Sequence, residues 1–361
     1  MKKEYIIPIF VPHLGCPNDC TFCNQKKISG QKKNITQNDV RQIIEYYLDS
    51  FKDVDKKVQV AFFGGSFTGI PVETQKQLLS AAYKYIEEGK VDSIRISTRP
   101  DYINKSILKL LKKYKVETIE LGVQSTNNYV LSKCRRGHDF CDVKKASKLI
   151  RKNKFVLGHQ MMVGLPYSTK DDEIKTAKDL IKLHPKIIRI YPVLVIKGTQ
   201  LENDFMDGEY IPNTLEQAVE TCASLLKMFR SKKIDVIRVG LQNTNEICDP
   251  KSEGSQVIAG PYHPAFRQLV ESRIYYDEIS EKIKKLNNKV KNIKVLVNNK
   301  HVNSFVGHKR ENINRIKEIY NVNMEIVQDS NIKDYKIIEA NWNILKNPKI
   351  IIFTNVYEYC K

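Results

Sequence analysis

Hydrophobic positions in this chain recur at two periods. Short β-branched runs stand at 5–11 (YIIPIFV), 58–64 (VQVAFFG), 93–98 (SIRIST), 117–123 (ETIELGV), 157–163 (LGHQMMV), 187–193 (IIRIYPV) and 235–240 (DVIRVG). Between them apolar residues return at helical spacing over 37–52, 72–88, 104–114, 139–153, 171–183 and 213–232. Thr36 and Asp39 form a capping-box variant at the start of the first helix. Nearly continuous apolar strands, each followed by a helix, predict a parallel sheet with helices outside it. Six or seven such units curl a sheet into a full or partial barrel, so the expected fold class is α/β: a partial (β/α)6-type TIM barrel of parallel strands. Ligands of such a barrel sit at the C-terminal strand ends. Five distinctive stretches fall there: GCPNDC, GGSFTG, STRPD, VQST and GLP.

After residue 264 the pattern changes. AFRQLVESRIYYDEISEKIKKL reads as a helix, IKVLV as a strand, KRENINRIKEIY as a helix and NMEIVQ as a strand. The expected division is a barrel with its extension over 1–276 and a small α+β module over 277–361. No internal repeat or low-complexity linker interrupts this order.

Composition narrows the setting. At 361 residues and 41% hydrophobic content, the chain accommodates one large barrel with an appendage. No apolar run approaches the roughly 18 residues needed to cross a bilayer. The opening MKKEYIIPIFVPHLGC has the outline of a lipoprotein leader, but Glu4, Pro8, Pro12 and His13 interrupt its apolar run. A cytoplasmic protein is expected. The formal charge is +19. Lysine, asparagine and isoleucine are abundant throughout, so the total alone does not imply a polyanionic partner. Its distribution says more: residues 281–318 hold eleven Lys and Arg against three Glu.

Eight cysteines in so long a chain do not form a disulfide framework. Cys134, Cys141, Cys222, Cys248 and Cys360 are scattered, as buried or surface thiols are. Cys16, Cys20 and Cys23, in HLGCPNDCTFCNQ (13–25), are clustered as ligands are. A structural zinc ion needs four closed ligands. No second C-x-x-C or histidine pair follows at finger-like distance, although His13 is available as a fourth. A cubane of four irons held by three cysteines would instead leave one iron open to another molecule.

The loop resembles the cluster-binding motif of the radical S-adenosylmethionine (radical SAM) superfamily. The metal ligands this implies are Cys16, Cys20 and Cys23, and the implied cofactors are a [4Fe–4S] cluster and SAM. Phe22 stands where that motif has an aromatic residue near the adenine. FFGGSFT (62–68), with Gly64, Gly65 and Ser66, resembles the glycine-rich motif that holds the SAM methionine amino group; glycines let backbone carbonyls approach an ammonium closely. STRPD (97–101), with Ser97 and Arg99, sits where polar contacts to the SAM ribose or carboxylate are usual. Gln124 in GVQS and Leu165 in GLP resemble residues near the ribose and adenine. Arg135-Arg136-Gly137-His138 follows the Gln124 strand and has two readings, with Arg136 reaching a SAM or substrate carboxylate or phosphate, or the stretch forming a solvated helix turn. The resemblance implies that the reduced cluster cleaves SAM to methionine and a 5′-deoxyadenosyl radical, which takes a hydrogen atom from the substrate.

RIYPVLVIKGTQLE (189–202), VIRVGLQNTNEI (236–247) and AGPYHPAFRQLVESRIYY (259–276) resemble the radical SAM half of the Elongator catalytic-subunit family, which modifies wobble uridines in tRNA. Two departures stand out. That family spaces its first two cysteines further apart, and its members carry a C-terminal acetyltransferase domain for which some 85 residues are too few. The resemblance is therefore to an Elongator-like bacterial group lacking the acetyltransferase. HVNSFVGHKRENINRIKEIYNVNMEIV (301–327) resembles a KH RNA-binding motif, whose G-x-x-G loop clamps nucleotides. Gly307 keeps the first glycine and Arg310 replaces the second, exchanging close backbone approach for charge on phosphate. The expected RNA-binding residues are Gly307, Lys309, Arg310, Arg315 and Lys317. His159 reads as a core histidine, while Tyr191, Lys197 and Arg238 lie at later strand ends.

The leading expectation is a radical SAM enzyme acting on RNA, most specifically tRNA. It would be served by an electron donor such as flavodoxin or ferredoxin, with no membrane or DNA partner. Two alternatives keep the cluster: an enzyme for a small molecule such as a porphyrin precursor, and a non-enzymatic iron–sulfur protein that binds RNA.

Overall fold

The computed structural model describes residues 3–11, 16, 20–24, 35–51, 56–285 and 290–339. Contacts between Cα atoms divide the chain into two compact units, one of residues 1–218 with 232–264 and one of residues 219–231 with 265–361.

The first unit is built on nine strands: β1 (Lys3–Phe10), β2 (Lys56–Phe63), β3 (Ser93–Thr98), β4 (Val116–Gln124), β5 (Val156–Val163), β6 (Ile187–Pro192), β7 (Val195–Ile196), β8 (Asp235–Val239) and β9 (Val257–Ala259). Seven of them form one sheet in the order β1-β2-β3-β4-β5-β6-β8. Every pairing in it is parallel. Neighbours in sequence are thus neighbours in space up to β6, as right-handed strand–helix–strand units require. The result is the half-barrel sheet expected of a partial TIM barrel. The short pair β7 and β9 is antiparallel and stands apart from that sheet.

Each strand buries one apolar face, represented by Ile7, Ile9, Val60, Phe62, Ile94, Ile96, Ile119, Leu121, Ile188 and Ile190. Helices Gln37–Ser50, Val72–Glu87, Lys105–Lys113, Phe140–Lys152 and Lys170–Lys182 supply the connections. The first opens with the expected box: the Asp39 amide donates to Thr36 Oγ1 (3.3 Å) and the Thr36 amide to Asp39 Oδ2 (2.7 Å). Asp139 with Asp142 and Thr169 with Asp172 cap two later helices in the same way. Helices Asn128–Lys133 and Gln200–Met206 are too short for a periodic signal and were not expected.

The second unit holds β10 (Asn292–Val297), β11 (Asn323–Gln328) and β12 (Tyr335–Glu339), ordered β11-β10-β12. The central strand β10 is parallel to β11 and antiparallel to β12. Helix Phe266–Lys285 runs without a break past residue 276, and helices Val302–Val306 and Glu311–Tyr320 follow β10. Ile279, Val295, Phe305, Ile316 and Ile337 form the core of this unit. None of the helices among the described residues is long and apolar enough to cross a membrane.

Candidate functional site

The C-terminal strand ends of the sheet gather several of the expected residues. The Cys23 amide donates to the Cys20 carbonyl (3.0 Å), turning the cysteine loop back on itself. Cys20 is buried and Cys16 and Cys23 are partly exposed, none of the three in a disulfide. Phe22 lies in one apolar cluster with Cys20, Val130, Cys134, Leu165 and Tyr210, so the aromatic after the second cysteine and the leucine after β5 share a pocket. Cys134, which had looked like a scattered thiol, is part of this region: its carbonyl accepts from the Thr21 amide at 3.2 Å. Burial pushes the Cys134 thiol up to about 12, so it stays protonated and inert.

Arg136 joins the cysteine loop to β4. Its Nη1 donates to Cys20 Sγ (3.2 Å) and its Nη2 to the Gly122 carbonyl (2.6 Å). A side chain at residue 122 would meet Gln124 Nε2 at 3.1 Å and Arg136 Nη2 at 3.4 Å, so glycine here leaves room beside the guanidinium. Two residues on, the pairing of β4 with β5 slips, and Gln124 takes a left-handed conformation (φ 68°) that turns its amide out of the strand pattern. Burial raises the Cys16 thiol pKa against the opposing charges of Arg136 and Arg99. Cys16, Cys20 and both guanidiniums therefore share one electrostatic neighbourhood.

After β2, Gly64 and Gly65 carry the positive φ of a tight turn (84° and 44°). Ser66 Oγ and Thr98 Oγ1 lie 2.9 Å apart, Thr68 Oγ1 and Thr98 Oγ1 2.6 Å apart, and the Arg99 amide donates to Ser66 Oγ at 3.3 Å. Ser66 thus ties the glycine turn to the end of β3. Arg99 grips Asp101 with Nε and Nη2, both at 3.0 Å. Arg99 Nη1 and Gln124 Oε1 are among the buried atoms here that have no hydrogen-bond partner. His138 is buried close to Arg136, and burial with the nearby guanidiniums pushes its pKa down to about 3, leaving a neutral imidazole. Gly164, at the end of β5, is held from both sides: its amide donates to Glu173 Oε1 (2.5 Å) and its carbonyl accepts from Tyr210 (2.6 Å).

Ser97 points elsewhere. Its hydroxyl accepts from Gln160 Nε2 (3.3 Å), which also donates to Glu120 Oε2 (3.1 Å). Glu120 is the centre of a buried network that the strand pattern did not reveal. It takes Arg189 Nε at 2.5 Å and Arg95 Nη1 at 3.0 Å, and Arg95 Nε donates to Gln59 at 2.7 Å. Burial raises the Glu120 pKa, but the two guanidiniums and the Gln160 amide outweigh it and hold the carboxyl below its ordinary range. Tyr191 lies at the edge of this network, 3.4 Å from Arg189 Nη1. His159 bonds Ser147 at 2.9 Å within the core and takes no part in the strand-end group. Lys197 is exposed and Arg238 half-buried. Among the described residues no three His, Cys, Asp or Glu side chains converge tightly enough for a single metal ion. His13 and Cys360 lie outside the described residues.

In the second unit, Gly307 begins the loop with φ 80°, and Lys309 and Arg310 both adopt positive φ (48° and 63°). Arg310 thus holds the left-handed conformation that a glycine would take without strain. His308, Lys309, Arg310 and Lys317 are exposed. Arg315 is differently placed: its guanidinium lies 4.6 Å from the Tyr276 ring centroid and 3.6 Å from Glu311. A cavity of about 600 Å³ adjoins this loop, lined by Arg310, Ile313, Val302, Met324 and Ile326 among others. Helix Phe140–Lys152 also carries a basic face that sequence reading missed, where Lys144, Lys148, Arg151 and Lys152 line a cleft of about 340 Å³ with Lys182.

Comparison with known proteins accounts for this arrangement. Residues 10–180 match the family described as the Radical SAM superfamily, and residues 185–276 match its Radical_SAM C-terminal domain. The chain belongs to the radical SAM superfamily, whose enzymes use a [4Fe–4S] cluster and SAM. Over 220 residues it is 33% identical to an uncharacterized protein of Methanocaldococcus jannaschii, covering 58% of this chain and 67% of that protein. A tRNA uridine(34) acetyltransferase of the same organism is 32% identical over 184 residues, which are 45% of this chain but 34% of the acetyltransferase. The archaeal Methanocaldococcus infernus Elp3 shares the fold at a TM-score of 0.59 and 22% identity, over 78% of this chain and 64% of that one.

Proposed function

We propose that this chain is a radical SAM enzyme that modifies RNA, with tRNA as its substrate class. The single observation that carries the cofactor half is the pair of buried, partnerless atoms, Arg99 Nη1 and Gln124 Oε1, beside three cysteines on one loop that are not joined in disulfides. Leaving a buried polar atom unsatisfied costs about 1–3 kcal/mol, and a polar nucleotide would relieve that cost. The donor set also suits a cluster better than a closed zinc site: three soft thiols, a fourth held as an inert thiol, and a guanidinium on Cys20 as counter-charge.

In this reading Cys16, Cys20 and Cys23 hold the cluster. Phe22 and Leu165 give the adenine an apolar seat, and Gly64 and Gly65 let carbonyls reach the methionine ammonium, with Ser66 fixing their turn. Arg99 and Gln124 take polar groups of the nucleotide, whereas Ser97 is bonded into the buried network through Gln160 and stands outside the seat. Arg136 holds Cys20 in place. The chemistry supplied there is one-electron cleavage of SAM to methionine and a 5′-deoxyadenosyl radical, with flavodoxin or ferredoxin as the class of electron donor. The sheet's buried face keeps water from the reacting groups.

The RNA half rests on the likeness to tRNA uridine(34) acetyltransferases and on the exposed, basic, left-handed loop of the second unit. Gly307, Lys309 and Arg310 clamp phosphates, Lys317 adds charge, and Arg315 braces the helix against Tyr276. Catalysis is assigned to residues 1–276 and the clamp on the RNA backbone to 277–361, in a cytoplasmic protein. The test is nucleoside mass spectrometry of total tRNA from cells with and without the gene. Loss of one modified nucleoside is expected, and an identical profile in tRNA would refute the RNA assignment. Anaerobic release of 5′-deoxyadenosine by the reduced protein tests the cofactor half separately.

A further inference from the structure

Beside the strand-end group two tyrosines stand in water. Tyr129, on helix Asn128–Lys133, is 57% exposed, and Tyr167, directly after Gly164-Leu165-Pro166, is 60% exposed. Their ring centroids are 6.0 Å apart and their planes nearly perpendicular, at 81°. Lys133 Nζ lies 5.6 Å from one centroid and 5.3 Å from the other. Packing explains neither ring: edge-to-face contact between two exposed aromatics contributes only about 1 kcal/mol, and a core would bury them.

The backbone makes the point more sharply. Tyr167 has φ 63°, a left-handed conformation that costs a bulky residue about 1–2 kcal/mol and a glycine almost nothing. The turn is closed by the Ser168 amide on the Leu165 carbonyl (3.0 Å), a bond that any residue at 167 permits. The chain therefore carries a strained aromatic where the turn asks for glycine. Both supporting segments are fixed: Asn127 Nδ2 donates to Asp172 Oδ1 (2.8 Å), and Thr126 to Asp179 Oδ2 (3.0 Å). Lys133 has no carboxylate partner among the described residues, and Arg135, two residues on, is exposed as well.

We infer that Tyr129, Lys133 and Tyr167 form a platform on which an unpaired nucleobase of the RNA substrate stacks, with Lys133 taking the adjoining phosphate. Edge-to-face packing leaves a ring face uncovered by its partner, and every nucleobase has a π-face to lay on it. The platform follows directly on Gln124 and Leu165 in sequence, on the loops after β4 and β5. It would therefore hold the base next to the strand-end group. The inference rests on the RNA reading above.

The test is fluorescence anisotropy of the anaerobically reconstituted full chain with a labelled short single-stranded RNA and with its blunt duplex. Compared with the unaltered protein, the double variant Tyr129→Ala/Tyr167→Gly should bind the single strand about tenfold more weakly, and the duplex within about twofold. Tyr167→Gly alone should melt at the same temperature or higher, because it removes backbone strain. Unchanged single-strand affinity overturns the platform and leaves the RNA reading standing. Equal losses on both RNAs also overturn it, assigning the patch to charge alone. A lower melting temperature for Tyr167→Gly would make the ring structural and overturn it too. If the unaltered protein binds neither RNA, the RNA reading itself fails and the platform falls with it.

Discussion

The same strands treat polar groups in opposite ways along their length. In the lower half of the sheet Gln59, Arg95, Glu120, Gln160 and Arg189 sit in one buried network, with Glu120 bonded to Arg95, Arg189 and Gln160. At the C-terminal ends Arg99 and Gln124 each keep a buried atom without a partner, and Gln124 and Tyr167 adopt left-handed backbone. A buried network is rigid when satisfied and costly when broken, whereas unsatisfied atoms are a standing cost that a ligand can remove. The difference separates a satisfied floor from a rim that carries unsatisfied polar atoms and left-handed backbone.

Breaking the floor gives the largest expected effect. Glu120→Ala leaves two buried guanidiniums without their carboxylate and should cost about 3–5 kcal/mol, read by urea denaturation. A loss below about 1 kcal/mol would show that the network contributes little.

Next comes the carboxyl that holds the rim glycine. Burial pushes Glu173 up to about 7, although the Gly164 amide pulls against it. An unfolded glutamate titrates near 4.3, so between about 4.3 and 7 the folded state binds a proton that the unfolded state has lost. This contribution to stability is full below about 4.3 and is lost as pH rises through 7, by roughly 3 kcal/mol. Glu173→Gln should flatten that slope in melting curves recorded across the range.

A third variant sharpens the rim side. Gln124→Gly removes the partnerless Oε1 and the left-handed strain together, so stability should hold or rise by about 1 kcal/mol while SAM binding, followed by isothermal titration, weakens. A loss of stability comparable to that of Glu120→Ala would erase the contrast between floor and rim.

The smallest effect concerns Arg136. Replacing it with Gln withdraws an N–H bond and a positive charge from Cys20, and should lower the midpoint potential of the cluster by on the order of tens of millivolts. Electron paramagnetic resonance during a redox titration reads this without reference to turnover.

Much of the fold could be read from the sequence. Ser93–Thr98 matches the expected strand at both ends, and the long helices differ from expectation by a residue or two at their termini, where capping rather than periodicity decides. The buried network was invisible for a specific reason. Each strand contributes only one or two inward polar residues among apolar ones, and only the parallel registers show that Arg95 and Arg189 stand a two-residue step along their strands from Glu120, within reach of its carboxylate. The cysteine loop announced itself by spacing, but the nearness of Cys134 did not, because 111 residues separate it from Cys23 in sequence. Lys309, Arg310, Arg315 and Lys317 looked alike by charge. In the structure Arg315 stacks on Tyr276, a placement that helical spacing alone cannot foretell.

Arg136 grips a cysteine sulfur with one arm and the backbone of β4 with the other. The cysteine loop and β4 therefore cannot shift independently, so any change that displaced the β4 bulge would also move the cysteine loop. Diversification of such a scaffold is freer where that tether is absent, on the segments after β5 and β6. There a single residue such as Tyr167 can be exchanged without pulling on the cysteine loop.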